Sequence, residues 1–170
     1  KNLKKITAER EKQDWVKTGQ TELGKTMRGE QNLLTLTQNI INFLAAYMKA
    51  AVGVFYLAQS DGFKLISSYA YKIRNNNYTE FKLGEGLVGQ AALEKKSIVY
   101  THLPQEQSHL TINSGLGETF PLNIFVLPLI LEDNVLGVLE LGTSNDFSNI
   151  EIEFLDRIAN DIAITLNTTH

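Results

Sequence analysis

Val135-Leu136-Gly137-Val138-Leu139-Glu140-Leu141 sets a single carboxylate among six apolar or glycine residues. A short run apolar on both faces reads as a strand covered on both sides. Glu140 then stands either at a strand edge or inside the domain with a partner, because an unpaired buried carboxylate is expensive. Just before it, Glu132-Asp133-Asn134 reads as a hairpin turn and Leu122 to Leu131 as the paired strand. Pro128 is out of place in that strand, since proline is tolerated mainly at edges and bulges. After it, Phe147 to Leu166 reads as a helix whose apolar face is Ile150, Phe154, Leu155, Ile158, Ile162 and Leu166. Ser148 is placed to cap that helix, and Glu151 three residues on completes a capping box.

Upstream, Gln31 to Lys49 is amphipathic with helical spacing and should pack on a sheet. Ala51 to Leu57 is apolar on both faces, and Ser60-Asp61-Gly62 turns it into a partner strand over Phe63 to Tyr71. Asn75-Asn76-Asn77 reads as a turn, Tyr78 to Leu83 as a half-exposed strand, Leu87 to Leu93 as a short helix and Ser97 to Thr101 as a strand. Leu103 to Phe120 has no strong period and reads as a long loop, which inside a compact domain is usually functional or mobile. Leu3 to Val16 favours a helix, but its stripe of Leu3, Ile6, Trp15 and Val16 is too narrow for a core helix. That suits a helix that pairs with a second copy of itself or continues from an upstream element. Gly19, Gly24 and Gly29 predict a break, kink or loosened helix after it. Hairpins at both ends and helices at the termini give an α/β protein of the α+β kind, with a mainly antiparallel sheet.

With 170 residues the chain has room for one globular domain plus accessory helices. It holds no cysteine, which excludes disulfide scaffolds, thiolate metal sites, cysteine nucleophiles and thioether-linked chromophores. Residues 1 to 30 carry 8 basic and 5 acidic side chains, so that segment is +3 and the remainder −6. An acidic body argues against nucleic acid as a partner. The longest apolar runs fall far short of a bilayer span and the N-terminal residues lack a signal-peptide core, so the expectation is a soluble, cytoplasmic segment.

Gly84-Glu85-Gly86-Leu87-Val88-Gly89 matches the dinucleotide-binding pattern of three glycines. The strand before it alternates with charges, the helix after it is short and no second mononucleotide half follows, so these glycines read as a tight turn into a helix packed close on the sheet. His102 and His109 flank Glu106 without metal-site spacing and read as surface histidines. No catalytic residue and no metal set emerges. Strand alternation places Tyr56 on one central strand and Ser67, Tyr69 and Tyr71 on its partner, with Arg74 just beyond. With Glu140 they would line one sheet face with hydroxyls, rings and an ion pair. Two readings stand side by side: a ligand pocket, or a Tyr56–Glu140 pair that satisfies itself.

The order of elements, Phe81 to Ala92, Pro128-Leu129-Ile130 and Gly137 to Leu141 before the last helix together resemble a GAF domain. Trp15 to Leu23 with Met27 to Glu30 looks like the lead-in behind a HAMP-type linker in bacterial sensor kinases. The resemblance implies residues 1–29 as a signalling or linker helix and 30–170 as a sensor domain. It implies a six-stranded antiparallel sheet with both terminal helices on one face, and a cavity on the other closed by the Leu103 to Phe120 loop, which brings Ser108 and Ser114 to the ligand. Pro128 becomes a family feature. The implied role is cytoplasmic small-molecule sensing and transmission in a bacterial histidine kinase, as a homodimer joined through the terminal helices, in a protein that is itself membrane-anchored or free. No cofactor is expected beyond an unidentified small molecule. Bilin photoreceptors and methionine sulfoxide reductases of this fold use cysteines absent here, the Asn-Lys-x-Phe-Asp-Glu signature of cyclic-nucleotide binders is missing, and no phosphoacceptor histidine box is present. The alternative is a ligand-free dimerisation and relay module.

Overall fold

In the computed structural model, which describes residues 2–71, 79–102, 104, 110, 112–114, 117–119, 121 and 123–169, with 112–114 and 117–119 as backbone alone, the chain order is α1 (Asn2–Met27), α2 (Leu33–Tyr47), β1 (Val52–Gln59), β2 (Gly62–Tyr69), β3 (Glu80–Phe81), α3 (Gly86–Glu94), β4 (Ile98–Tyr100), β5 (Ile112–Ser114), β6 (Gly117–Thr119), β7 (Asn123–Leu131), β8 (Asn134–Thr143) and α4 (Asn149–Thr168). Glu132 and Asp133 both take positive φ, 49° and 69°. Two such residues give a turn whose twist matches the strands it joins, so β7 runs straight back along β8. One six-stranded sheet, in the order β3-β2-β1-β8-β7-β4, is antiparallel throughout.

Period-2 alternation divides the sheet. Phe55, Leu139, Leu141, Phe125, Leu127 and Leu129 face one way and meet α1, α2 and α4. Val54, Tyr56, Val126 and Val138 face the other way, against Phe63, Phe81, Leu110 and the α3 residues Val88, Ala91 and Ala92. The expected α+β architecture, with the terminal helices on one face, is the observed one. Ser148 accepts a hydrogen bond from the Glu151 amide while the Glu151 carboxylate accepts one from Ser148, so the expected capping box opens α4.

Pro128 pairs with Val138 on β8, whereas β4 stops covering β7 at Val126. Beyond that point β7 is an edge on its β4 side, where a missing backbone N–H breaks no ladder.

Four expectations change. Gly19 and Gly24 do not break the first helix, which runs through both to Met27, and the expected break falls at Gly29 alone. Its second half is a core helix, burying Val16, Gly19 and Leu23, while Leu3 and Ile6 stay exposed. The partners that bury it are aromatic rings from α2 and α4, distant in sequence. At the corner, Gln31 Nε2 donates to Thr26 O (3.0 Å) and Arg28 O (2.9 Å) while its Oε1 accepts from Asn39 (2.8 Å), tying the end of α1 to α2. The stretch expected as a loop holds a small hairpin, β5 with β6, because three-residue strands are too short to show a period. The strand expected over Tyr78 to Leu83 is two residues long, since the chain already turns at Lys82 to Gly84. The turn expected at Asn75 to Asn77 lies outside the described residues. No helix among the described residues is long and apolar enough to cross a membrane.

Candidate ligand-binding face

Glu140 lies in the middle of β8, opposite Val54 on β1 and Val126 on β7, and is fully buried. It is therefore inside the domain and not at an edge. Tyr56, also fully buried, pairs with Val138, two positions from Glu140 on the same face. A hydrogen bond joins the Tyr56 phenol to Glu140. Burial, before all else, pushes the Tyr56 pKa well above the usual tyrosine value, and the neighbouring Glu140 and Tyr71 push it the same way. The phenol is held neutral as a donor. Phe81 closes one side, its ring edge-on to Tyr56 at 5.4 Å.

Ser67 lies beside the bulge at Phe55/Tyr56, is 3% exposed, and its Oγ has no hydrogen-bond partner among the described residues. Tyr71 packs half-buried against the same apolar cluster as Tyr56. Tyr69, at the end of β2, is 37% exposed. The structure thus gathers Tyr56, Tyr71 and Glu140, whereas Ser67 and Tyr69, paired with Phe55 and Gly53, stand on the helix side of the sheet, because the bulge and the register set them out of phase with Tyr56. Arg74 and Ser108 lie outside the described residues, as does the side chain of Ser114.

Sequence reasoning missed Phe81 and Leu110 as walls of this face and Asn123 as a buried polar group. Asn123 Oδ1 accepts from the His102 amide (3.1 Å), and its Nδ2 has no partner among the described residues. A lone amide opening the apolar run of β7 was the available signal. Neither Tyr56 nor Glu140 lines the cleft of about 370 Å³ beside the β1–β2 turn, which borders Phe63 and Phe81, or the one of about 500 Å³ between Pro128 and Asp156.

The glycine run has a structural task. Gly84 N donates to Gly89 O (2.8 Å), Gly89 N to Glu85 O (2.9 Å) and Glu85 N to Lys82 O (2.9 Å), so these amides are engaged within the turn. A β-carbon on Gly89 would stand 2.2 Å from the Lys82 carbonyl oxygen. Among the described residues, no group of three or more His, Asp or Glu side chains is placed to hold a metal ion.

No curated protein matches the sequence. Among solved structures, the GAF domain of an Acinetobacter phosphoenolpyruvate-protein phosphotransferase superposes with a TM-score of 0.73 at 17% identity, over 89% of this chain and 92% of that one. The nlh2 GAF domain of A. aeolicus in an inactive state gives 0.70 at 16%, over 92% and 98%. A free methionine-R-sulfoxide reductase from Neisseria meningitidis, in complex with its substrate, gives 0.70 at 17%, over 92% and 88%. At such identities these likenesses speak for the fold. Residues 30–167 match the sequence model of the GAF domain, and the chain belongs to that family.

Proposed function

We propose that this GAF domain is the cytoplasmic small-molecule-sensing and signal-transmission module of a bacterial signalling protein, a sensor histidine kinase, and that it works as a dimer joined through its terminal helices. One observation carries the reading: a phenol and a carboxylate, hydrogen-bonded and fully buried, sit on the central strands on the face opposite the terminal helices. Polar groups are expensive to bury in a face otherwise built of valine, phenylalanine, alanine, leucine and isoleucine, and convergent polar groups in an apolar wall are what orient a small polar ligand. The sheet then lies between ligand and helices, so a change at Glu140 or Tyr56 reaches α2 and α4 through Phe55 and Leu139, their neighbours in sequence.

Moving a two-state switch from 1:99 to 99:1 takes about 5.5 kcal/mol of differential binding, which a small ligand supplies only when largely enclosed. The reductase neighbour raises the question of catalysis, and the resemblance ties that chemistry to cysteines of which this chain has none. The module is accordingly read as a binder without a reaction of its own.

Native mass spectrometry of the purified protein is the direct test, with a co-purified small molecule as the expected result. Tyr56→Phe and Glu140→Ala should then weaken its binding, and unchanged affinity removes both residues from the site. Sedimentation showing a monomer at micromolar concentration removes the dimer. The second reading, a ligand-free dimerisation and relay module, draws on the Tyr56–Glu140 hydrogen bond itself, which gives the phenol a partner without a ligand.

A further inference from the structure

Three helices meet at Gly19. A β-carbon there would stand 2.5 Å from the ring of Phe154 on α4 and 2.6 Å from the ring of Tyr47 on α2. Those rings are 5.4 Å apart, and Trp15, one turn before Gly19 on α1, stacks on Tyr47 at 4.8 Å and meets Phe154 edge-on at 5.1 Å. Phe43 extends the stack behind Tyr47 at 5.3 Å. The Tyr47 hydroxyl donates to the carbonyl oxygen of Trp15, so the ring is hooked to the helix backbone as well as packed against it.

Glycine lowers helix propensity in the middle of α1, and at position 19 it makes the notch that two rings fill. Gly24, on the same helix, has nothing within 4 Å of where its β-carbon would stand, so the close approach belongs to Gly19. Before Trp15 the helix is exposed along its whole length, and afterwards only Val16, Gly19 and Leu23 are buried.

We infer that the aromatic notch at Gly19 is a latch that holds the N-terminal helix onto the C-terminal helix, so that a displacement of α1 is passed to α4 through the rings of Tyr47 and Phe154 rather than through the sheet. This rests on the reading that the terminal helices carry the signal, and it adds the contact through which they are coupled. Latched, Trp15 is stacked and α1 from Val16 onward is protected. Released, the same rings are exposed and α1 is free to turn against α4.

The test uses this chain without any ligand, so failure to find a ligand leaves its outcome unaffected. Because the chain has no cysteine, spin labels at Thr21→Cys on α1 and Asn160→Cys on α4 report one distance. Its single tryptophan is the one in the latch, so emission reports stacking directly. Gly19→Ala should broaden the α1–α4 distance distribution, shift Trp15 emission to the red and speed amide exchange over residues 16–27 by about tenfold, with exchange in β1, β7 and β8 unchanged. Gly24→Ala receives the same helix-propensity gain without the collision, and should slow exchange over 16–27 by up to about fivefold with the distance unaltered. Tyr47→Phe keeps the ring and removes the hook, so it should loosen α1 by a smaller factor while the strands stay protected. If Gly19→Ala behaves as Gly24→Ala does, or if Tyr47→Phe exchanges over 16–27 as the parent chain does, the latch is overturned.

Discussion

Tyr56 lies diagonally across from Glu140 on one face of the sheet, Tyr56 opposite Val138 and Glu140 opposite Val54, and a hydrogen bond spans the diagonal. Both groups are fully buried, so neither meets solvent in this conformation. Removing one partner takes a buried hydrogen bond from the other, whereas replacing both with apolar groups leaves neither end of that bond behind. Tyr56→Phe and Glu140→Leu should each cost about 1–3 kcal/mol in urea denaturation, and the double variant clearly less than their sum. Strict additivity would mean that the bond contributes nothing to stability.

The same burial sets an alkaline limit. Tyr56 titrates above its ordinary value of 10.0 in the folded chain, chiefly because burial disfavours the phenolate. The folded state therefore holds its proton at a pH where the unfolded chain has released it. This contribution to stability is complete below about pH 10, falls by at most about 1.4 kcal/mol per pH unit above it and is exhausted once the folded value is passed. Tyr47 is raised too, again mainly by burial, and acts in the same direction. Denaturation midpoints collected between pH 9 and 11.5 should fall less steeply for Tyr56→Phe than for the parent chain. Parallel slopes would place the alkaline loss on other groups.

Gly89 separates two uses of the same motif. Were the glycine run a phosphate cradle, an alanine at Gly89 would chiefly weaken nucleotide binding. With a β-carbon 2.2 Å from the Lys82 carbonyl oxygen and 2.9 Å from the Gly84 nitrogen, it must instead force the turn apart. Gly89→Ala should lower stability by at least about 2 kcal/mol, read by thermal or urea unfolding. Adding a nucleoside triphosphate or a nicotinamide dinucleotide should leave the Tm of the parent chain where it was. A Tm raised by either compound would return the motif to its nucleotide reading.

How far these features can be read from the sequence depends on how local their causes are. The β7–β8 hairpin, α2 and α4 were legible because a turn, a period and a cap all lie within a few residues of what they decide. Tyr56 and Glu140 were legible as one face because alternation carries over from strand to strand once the pairing is known. The core half of α1 was not. Val16 and Leu23 are seven residues apart with glycine between them, too sparse to suggest burial until rings from α2 and α4 fill the notch. Phe81 and Leu110 escaped for the same reason, since only the folded sheet brings them against the strands that bear Tyr56 and Glu140.

The start of α4 offers the last prediction, because its cap and its position in the fold have separable effects. Ser148 N donates to Glu151 Oε1 at 2.8 Å and Glu151 N to Ser148 Oγ at 3.3 Å, two reciprocal bonds at the solvent-facing end of a helix whose body is buried. Ser148→Ala removes the longer bond and Glu151→Ala the shorter one, and each should cost about 1 kcal/mol of unfolding free energy. Both act on the same turn, so their combination should cost less than the sum. Exchange at the first turn of α4 should quicken while Ile158 and Ile162, fully buried further along, keep their protection. If exchange quickened equally along all of α4, the cap would be governing how the whole helix docks on β7 rather than how its end frays.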